Sequence, residues 1–196
     1  NPIIVEVERE TLGLDYKYLK EAIKKFKPKI IQLVHVYGCP AKNTIEIKKL
    51  CKKNKIFLLE DFSESLGAMI NNKKVGKFGD ISIFSIRSEK MIGVGEGGVI
   101  LSDNTKIYNK FKTLASRNSP FRRKIDPYWK KYFCSGEGYN YLLPHLLGAI
   151  GRAQIEKFEK KILKKKIQIG QSYRKYFNSK DISLTQNIPK NFKSVH

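Results

Sequence analysis

Two short apolar runs, separated by a helix-patterned segment, constrain this chain more than anything else in it. The first is Ile30-Ile31-Gln32-Leu33-Val34-His35-Val36; the second, Ile56-Phe57-Leu58-Leu59, runs straight into Glu60-Asp61. Runs this continuous suit strands covered on both faces, as in parallel sheets. Between them Gly38-Cys39-Pro40 breaks the first run and Asn43 stands ready to cap a helix. Ile45, Ile47, Leu50 and Cys51 then follow helical spacing. A helical crossover of this kind joins parallel strands. Upstream, residues 3–7 alternate as a strand, and Asp15 caps a helix carrying Leu19, Ala22, Ile23 and Phe26. The βαβα order predicts an α/β fold, a mostly parallel sheet with covering helices.

Further along, residues 73–80 are turn-like, and 81–86 and 98–101 read as strands. Asp103 is placed to cap a helix to about residue 115. Residues 116–141 are loop-rich, with Pro120, Pro127 and Trp129. Residues 143–177 carry one long helical pattern, kinked near Gly148 or Gly170. That is far longer than an ordinary globular helix and reads as a bridge between domains. The expected division is residues 1–142 as a large domain and 143–196 as the linking helix with the start of a small one. A length of 196 residues suits one domain and part of another. The chain opens without methionine and in the middle of a pattern, which reads as a missing N-terminal part.

Composition narrows the classes. No run approaches the roughly 18 apolar residues that cross a bilayer, and no signal peptide is visible. Cys39, Cys51 and Cys134 are odd in number and lack metal-ligand spacing, as expected of reduced thiols in a cytoplasmic protein. The net charge is +21, from 39 Lys+Arg against 18 Asp+Glu. Such a balance suits nucleic acid or an acidic surface. The pairs Lys24-Lys25, Lys48-Lys49 and Lys52-Lys53, however, sit on helical patterns as solvated faces do. The run Lys164-Lys165-Lys166 has no aromatic or glycine-rich RNA motif beside it. The charge thus favours an anionic substrate over nucleic acid.

Lys90 carries the chemistry. It follows Phe84-Ser85-Ile86-Arg87-Ser88-Glu89 and precedes Gly95-Glu96-Gly97-Gly98. A strand ending in an acid, then a later strand feeding a lysine loop, is a layout that pyridoxal phosphate enzymes use. The lysine holds the cofactor as a Schiff base and the acid keeps the pyridine nitrogen protonated. Asp61, at a strand's C-terminal end, fits that acid; it fits equally a carboxylate capping the next helix. Ser85 is a strand-end hydroxyl able to donate to phosphate, or an ordinary strand terminus. Asn140 is a loop donor or a turn residue. His35 on a buried strand reads as a packed core histidine rather than a catalyst.

Taken together, these segments resemble the sugar aminotransferases of the DegT/DnrJ/EryC1/StrS family. Val34-His35-Val36-Tyr37-Gly38-Cys39-Pro40-Ala41 resembles its "V-H-x-Y-G-x-P-A", and Glu60-Asp61-Phe62-Ser63-Glu64-Ser65-Leu66-Gly67-Ala68 its "E-D-x-A-[QE]-x-x-G-A". Gly76-Lys77-Phe78-Gly79-Asp80 resembles "G-x-x-G-D", and residues 84–98 resemble "F-S-F-x-x-x-K-x-x-x-x-G-[ED]-G-G". Gly138-Tyr139-Asn140-Tyr141 resembles "G-x-N-x-R", with Leu142 in place of the arginine. Thr11-Leu12-Gly13-Leu14-Asp15 and Ala149-Ile150-Gly151-Arg152-Ala153-Gln154 extend the likeness over nearly the whole chain.

The resemblance implies an aspartate aminotransferase-like (type I) large domain followed by the start of a small α+β domain. It implies pyridoxal 5'-phosphate and a homodimer with active sites at the interface. Lys90 would be the Schiff-base lysine and proton shuttle, and Asp61 the pyridinium partner. Glu64 would sit beside the cofactor's phenolic oxygen and Ser85 on its phosphate. Asn140 would reach that phosphate from the partner subunit. Glutamate would give its amino group to a nucleotide-linked keto sugar. Lysine at position 90 argues against the family's dehydratases, which have histidine there. The family's N-terminal "S-G-T" turn has no counterpart in these residues. Tyr128-Trp129 faintly resembles perosamine-type members, without identifying the sugar. Two other readings stay open: an inactive or regulatory family member, and a basic nucleic-acid-binding protein.

Overall fold

A computed structural model of the chain describes residues 1–118, 136–180 and 188–195. Its main sheet is built, in spatial order, from β1 (Ile30–Val34), β2 (Phe57–Asp61), β5 (Ile81–Ser85) and β6 (Gly98–Leu101). β1 and β5 both run parallel to β2, as the apolar runs predict. β6 lies antiparallel to β5, so the sheet is mixed. The connection between β5 and β6 explains the change of direction. It closes on itself through Ile86 N–H to Gly97 O, Val94 N–H to Ile86 O and Ser88 N–H to Gly95 O, and has no helix to carry the chain back for a parallel return. A second, antiparallel sheet orders β4 (Lys73–Lys74), β3 (Met69–Ile70) and β7 (Phe192–Lys193).

Helix α1 (Tyr16–Phe26) starts as expected, with Asp15 accepting the N–H groups of Lys17 and Tyr18. Before it, residues 3–7 do not form the expected strand; only Val7 bridges, to Leu14. Helix α2 (Thr44–Asn54) begins after Asn43, whose side chain makes no capping bond. The Thr44 hydroxyl instead donates to the Ala41 carbonyl at 2.6 Å. Helix α3 (Thr105–Ala115) is capped by Asn104 rather than Asp103, its side-chain oxygen accepting from Lys106 and Ile107.

Strand alternation then sorts the side chains. Ile31, Leu33 and Leu58 meet Leu19, Ile23 and Ile47 of α1 and α2 in one buried cluster. Phe62, Phe84, Ile86, Ile92 and Val94 form a second cluster with Phe158 and Val195. Each such side chain contributes roughly 1.5–3 kcal/mol by leaving water. Val195 also donates its N–H to the Gly38 carbonyl, tying the end of the chain to the turn after β1.

The long helical pattern is one continuous run with a defect. Helix α4 (His145–Lys157) passes into a π-helical turn (Phe158–Leu163) and on into α5 (Lys164–Asn178). The irregularity falls at neither Gly148 nor Gly170, which both lie inside regular helix. Its cause is packing on Gly67, which has φ +92°: a Cβ there would stand 2.9 Å from Leu163 and 3.4 Å from Phe158. In an unbroken α-helix, two residues five apart point about 140° away from each other. A π turn stacks residues five apart, so both side chains close over the same glycine. Pro120, Pro127, Tyr128, Trp129 and Cys134 lie outside the described residues.

Candidate active site

The site forms where the two central parallel strands end. β1 and β2 stop level with each other at Val34 and Asp61, opposite Ile83 of β5, which runs two residues further to Ser85. Open α/β sheets bind ligands at such an edge. Asp61 Oδ1 accepts the Ser63 N–H at 3.0 Å, and Ser63 Oγ accepts the Ser85 N–H at 3.0 Å. The loop after β5 turns through a bond from the Lys90 N–H to the Arg87 carbonyl. This brings the ammonium of Lys90, whose side chain is 21% exposed, to 3.7 Å from Glu64 Oε1. The other Glu64 oxygen accepts the Tyr37 N–H at 3.0 Å. Tyr37 occupies the left-handed region, with φ 48°, in the turn that aims this N–H.

A cavity of about 250 Å³ lies among these groups, lined by Tyr37, Ser63, Glu64, Ser85, Lys90 and Lys166 among others. Three of the residues singled out from sequence, Lys90, Glu64 and Ser85, therefore share one cavity. Asp61 stands behind its wall, joined to it through Ser63. Asn140 lies apart, exposed and bridged to Ser116. Its neighbours Tyr139 and Tyr141 stack with ring centroids 5.1 Å apart. They line a larger, mostly apolar hollow of about 890 Å³ that shares Ser63 and Ser85 with the smaller one. Sequence reasoning missed Ser63, Tyr37 and Lys166. The first two stand inside recognised motifs; Lys166 carries no signal beyond its lysine run.

Beneath the site lies a buried polar cluster. Glu60, wholly buried, accepts from the N–H groups of Gly76, Phe78 and Gly79 and from the Ser82 hydroxyl. His35 Nδ1 accepts the Ala41 N–H, so its proton lies on Nε2, which donates to Glu60 Oε1 at 3.0 Å. Burial pushes the Glu60 carboxyl up. The hydrogen bonds from His35 and from the backbone donors outweigh it, and hold Glu60 below the usual carboxylate range. His35 is the core histidine expected. The cluster clamps residues 76–82 under β2, and so fixes where β5 and the Lys90 loop begin.

The arrangement provides an amine beside a carboxylate for proton exchange, and hydroxyls at strand ends for an anion. Among the described residues no cluster of metal-ligating side chains occurs, and no helix is long and apolar enough to cross a membrane.

The model of the DegT/DnrJ/EryC1/StrS aminotransferase family matches residues 1–196. The chain is 36% identical over 173 residues to the GDP-perosamine synthase of Vibrio cholerae, covering 88% of the chain and 44% of that enzyme. It is 38% identical over 132 residues to the UDP-4-amino-4,6-dideoxy-N-acetyl-beta-L-altrosamine transaminase of Campylobacter jejuni, covering 67% of the chain and 34% of that enzyme. Among solved structures, E coli GDP-4-keto-6-deoxy-D-mannose-3-dehydratase with bound hydrated PLP superposes with a TM-score of 0.81 at 29% identity. That match covers 97% of this chain and 50% of the other. The chain thus spans about half the length of the relatives it matches.

Proposed function

This chain belongs to the DegT/DnrJ/EryC1/StrS aminotransferase family, and from that premise we propose that it serves a pyridoxal phosphate-dependent transfer of an amino group from glutamate to a nucleotide-linked keto sugar. The observation that carries the reading is Lys90, 3.7 Å from Glu64 in a cavity walled by Ser63 and Ser85. The donor set suits the cofactor: a lysine amine for its aldehyde, serine hydroxyls for its phosphate, a strand-end carboxylate for its ring nitrogen. When bound, the cofactor supplies an electron sink that makes a proton beside the substrate nitrogen removable.

The chain's own residues divide the remaining work. Lys90 anchors the cofactor and, once released, takes a proton from the donor carbon and returns one during the second half of the exchange. Glu64 holds the Lys90 ammonium and is itself held by the Tyr37 N–H. Asp61 keeps the ring nitrogen charged, with Ser63 fixing its carboxylate. Ser85 binds the phosphate. Asn140, exposed on its loop, serves the phosphate of a second copy in a homodimer. Lysine rather than histidine at position 90 favours amino transfer over dehydration.

The test is an absorbance titration of wild-type protein and Lys90→Ala with pyridoxal phosphate. A visible band that needs Lys90, and that glutamate bleaches, is expected. Folded wild-type protein that develops no such band sinks the reading and returns attention to an inactive family member.

A further inference from the structure

The three consecutive lysines at 164–166 do not share one environment. Lys164 and Lys165 are exposed, while Lys166 is half-buried and lines the cavity that holds Lys90 and Glu64. Its ammonium has no ion-pair or hydrogen-bond partner among the described residues. The two carboxylates that also line the cavity are already engaged: Glu64 by Lys90 and the Tyr37 N–H, and Glu89 by Arg87 at 3.6 Å.

The π turn explains why this lysine faces inward. It swings Leu163 onto Gly67 beside Phe158. Lys166, three residues after Leu163, lies one turn further along the same face. Lys74 pairs with Glu159 and pins the turn to β4 from outside. If residues 158–163 ran as regular α-helix instead, this face would point about 100° away. π turns within α-helices occur often at functional sites.

We propose that Lys166 is a ligand-binding cation of this cavity, placed there by the π turn to receive an anionic oxygen group of the cofactor or substrate. The inference rests on the amino-transfer reading above. Lys90 is consumed when it anchors the cofactor, which leaves Lys166 as the lysine ammonium lining the cavity. A ligand carboxylate, as on an amino-acid donor, and a phosphate both present the required chemistry. Leu66, Met91 and Ile92 make part of the cavity lining apolar, so a charged bond inside it is less screened than in bulk water.

The test uses wild type, Lys166→Met and Lys166→Arg, each loaded with pyridoxal phosphate and titrated calorimetrically with glutarate and, separately, inorganic phosphate. Affinity of the cofactor itself is measured on the unloaded protein. A charge-assisted bond predicts a loss of about tenfold or more in Lys166→Met, restored in large part by Lys166→Arg. A loss for glutarate alone assigns Lys166 to a carboxylate. A loss for inorganic phosphate or the cofactor assigns it to a phosphate. Unchanged affinities in a variant melting like wild type overturn the proposal while leaving amino transfer intact. Wild-type protein that binds neither cofactor nor glutarate overturns both.

Discussion

Single residues decide whether this site is held in shape, and Glu60 is the clearest case. Its carboxylate accepts five hydrogen bonds with no access to water. Glu60→Gln puts an N–H₂ where only donors converge, and a loss of about 3 kcal/mol is expected from denaturant melts. Acid should act by the same route. Glu60 is held below its unfolded value of about 4.3. Its contribution is therefore complete above that pH and disappears as pH falls through the folded value. Stability measured against pH should show a downward step below about pH 4 in wild type, and a smaller one in Glu60→Gln. Gly79 is constrained by space rather than by conformation. A Cβ there would run into the Ile81 carbonyl and come within 2.8 Å of the Glu60 Cβ. Gly79→Ala should cost about 2–3 kcal/mol in a denaturant melt. None of this is visible in a string of letters, because Glu60 and Asp61 look alike there. Alternation turns Glu60 into the core and Asp61 toward the site.

At the scale of elements, the long helix of α4, the π turn and α5 carries the sharpest prediction. Inserting one alanine after Lys161 adds a residue beyond the one the π turn already absorbs and rotates everything after it by about 100°. Leu163 then leaves Gly67 and Lys166 leaves the cavity. Thermal melts should show a lower midpoint, and glutarate binding should weaken as in Lys166→Met. The sequence pattern predicted one long helix and placed its irregularity at a glycine, Gly148 or Gly170. Both glycines are ordinary helical positions, and Gly148 faces no close neighbour that demands a bend. The demand comes from Gly67, nearly a hundred residues away in the chain. The caps tell a similar story at smaller range. Asp103 and Asn104 are both good capping residues, and the residue whose side chain reaches the next two N–H groups is set by where β6 releases the chain.

For the molecule as a whole, the net charge of +21 dominates the electrostatics. The described lysines are spread over helix faces, so they should act mainly as mutual repulsion. Raising ionic strength from 0.01 M to 0.15 M shortens the screening length from about 30 Å to about 8 Å. The melting temperature should therefore rise with salt, and duplex DNA should bind no tighter than about 10⁻⁶ M with loss on adding salt; tight, salt-resistant binding would revive a nucleic-acid role. What the sequence alone determined was local or periodic. The apolar runs made β1 and β2, helical spacing made α1 and α2, and motif order singled out Lys90, Asp61 and Ser85 as candidates, with Glu64 added by the family resemblance. Those features depend on residues close together along the chain. What the tertiary structure decided was long-range: the reversal of β6, the π turn over Gly67, the Ser63 link behind Asp61, the arrival of Lys166 beside Lys90. Each depends on two distant segments meeting at a set distance and angle, and that geometry arises only when the sheet, its covering helices and the returning chain pack together.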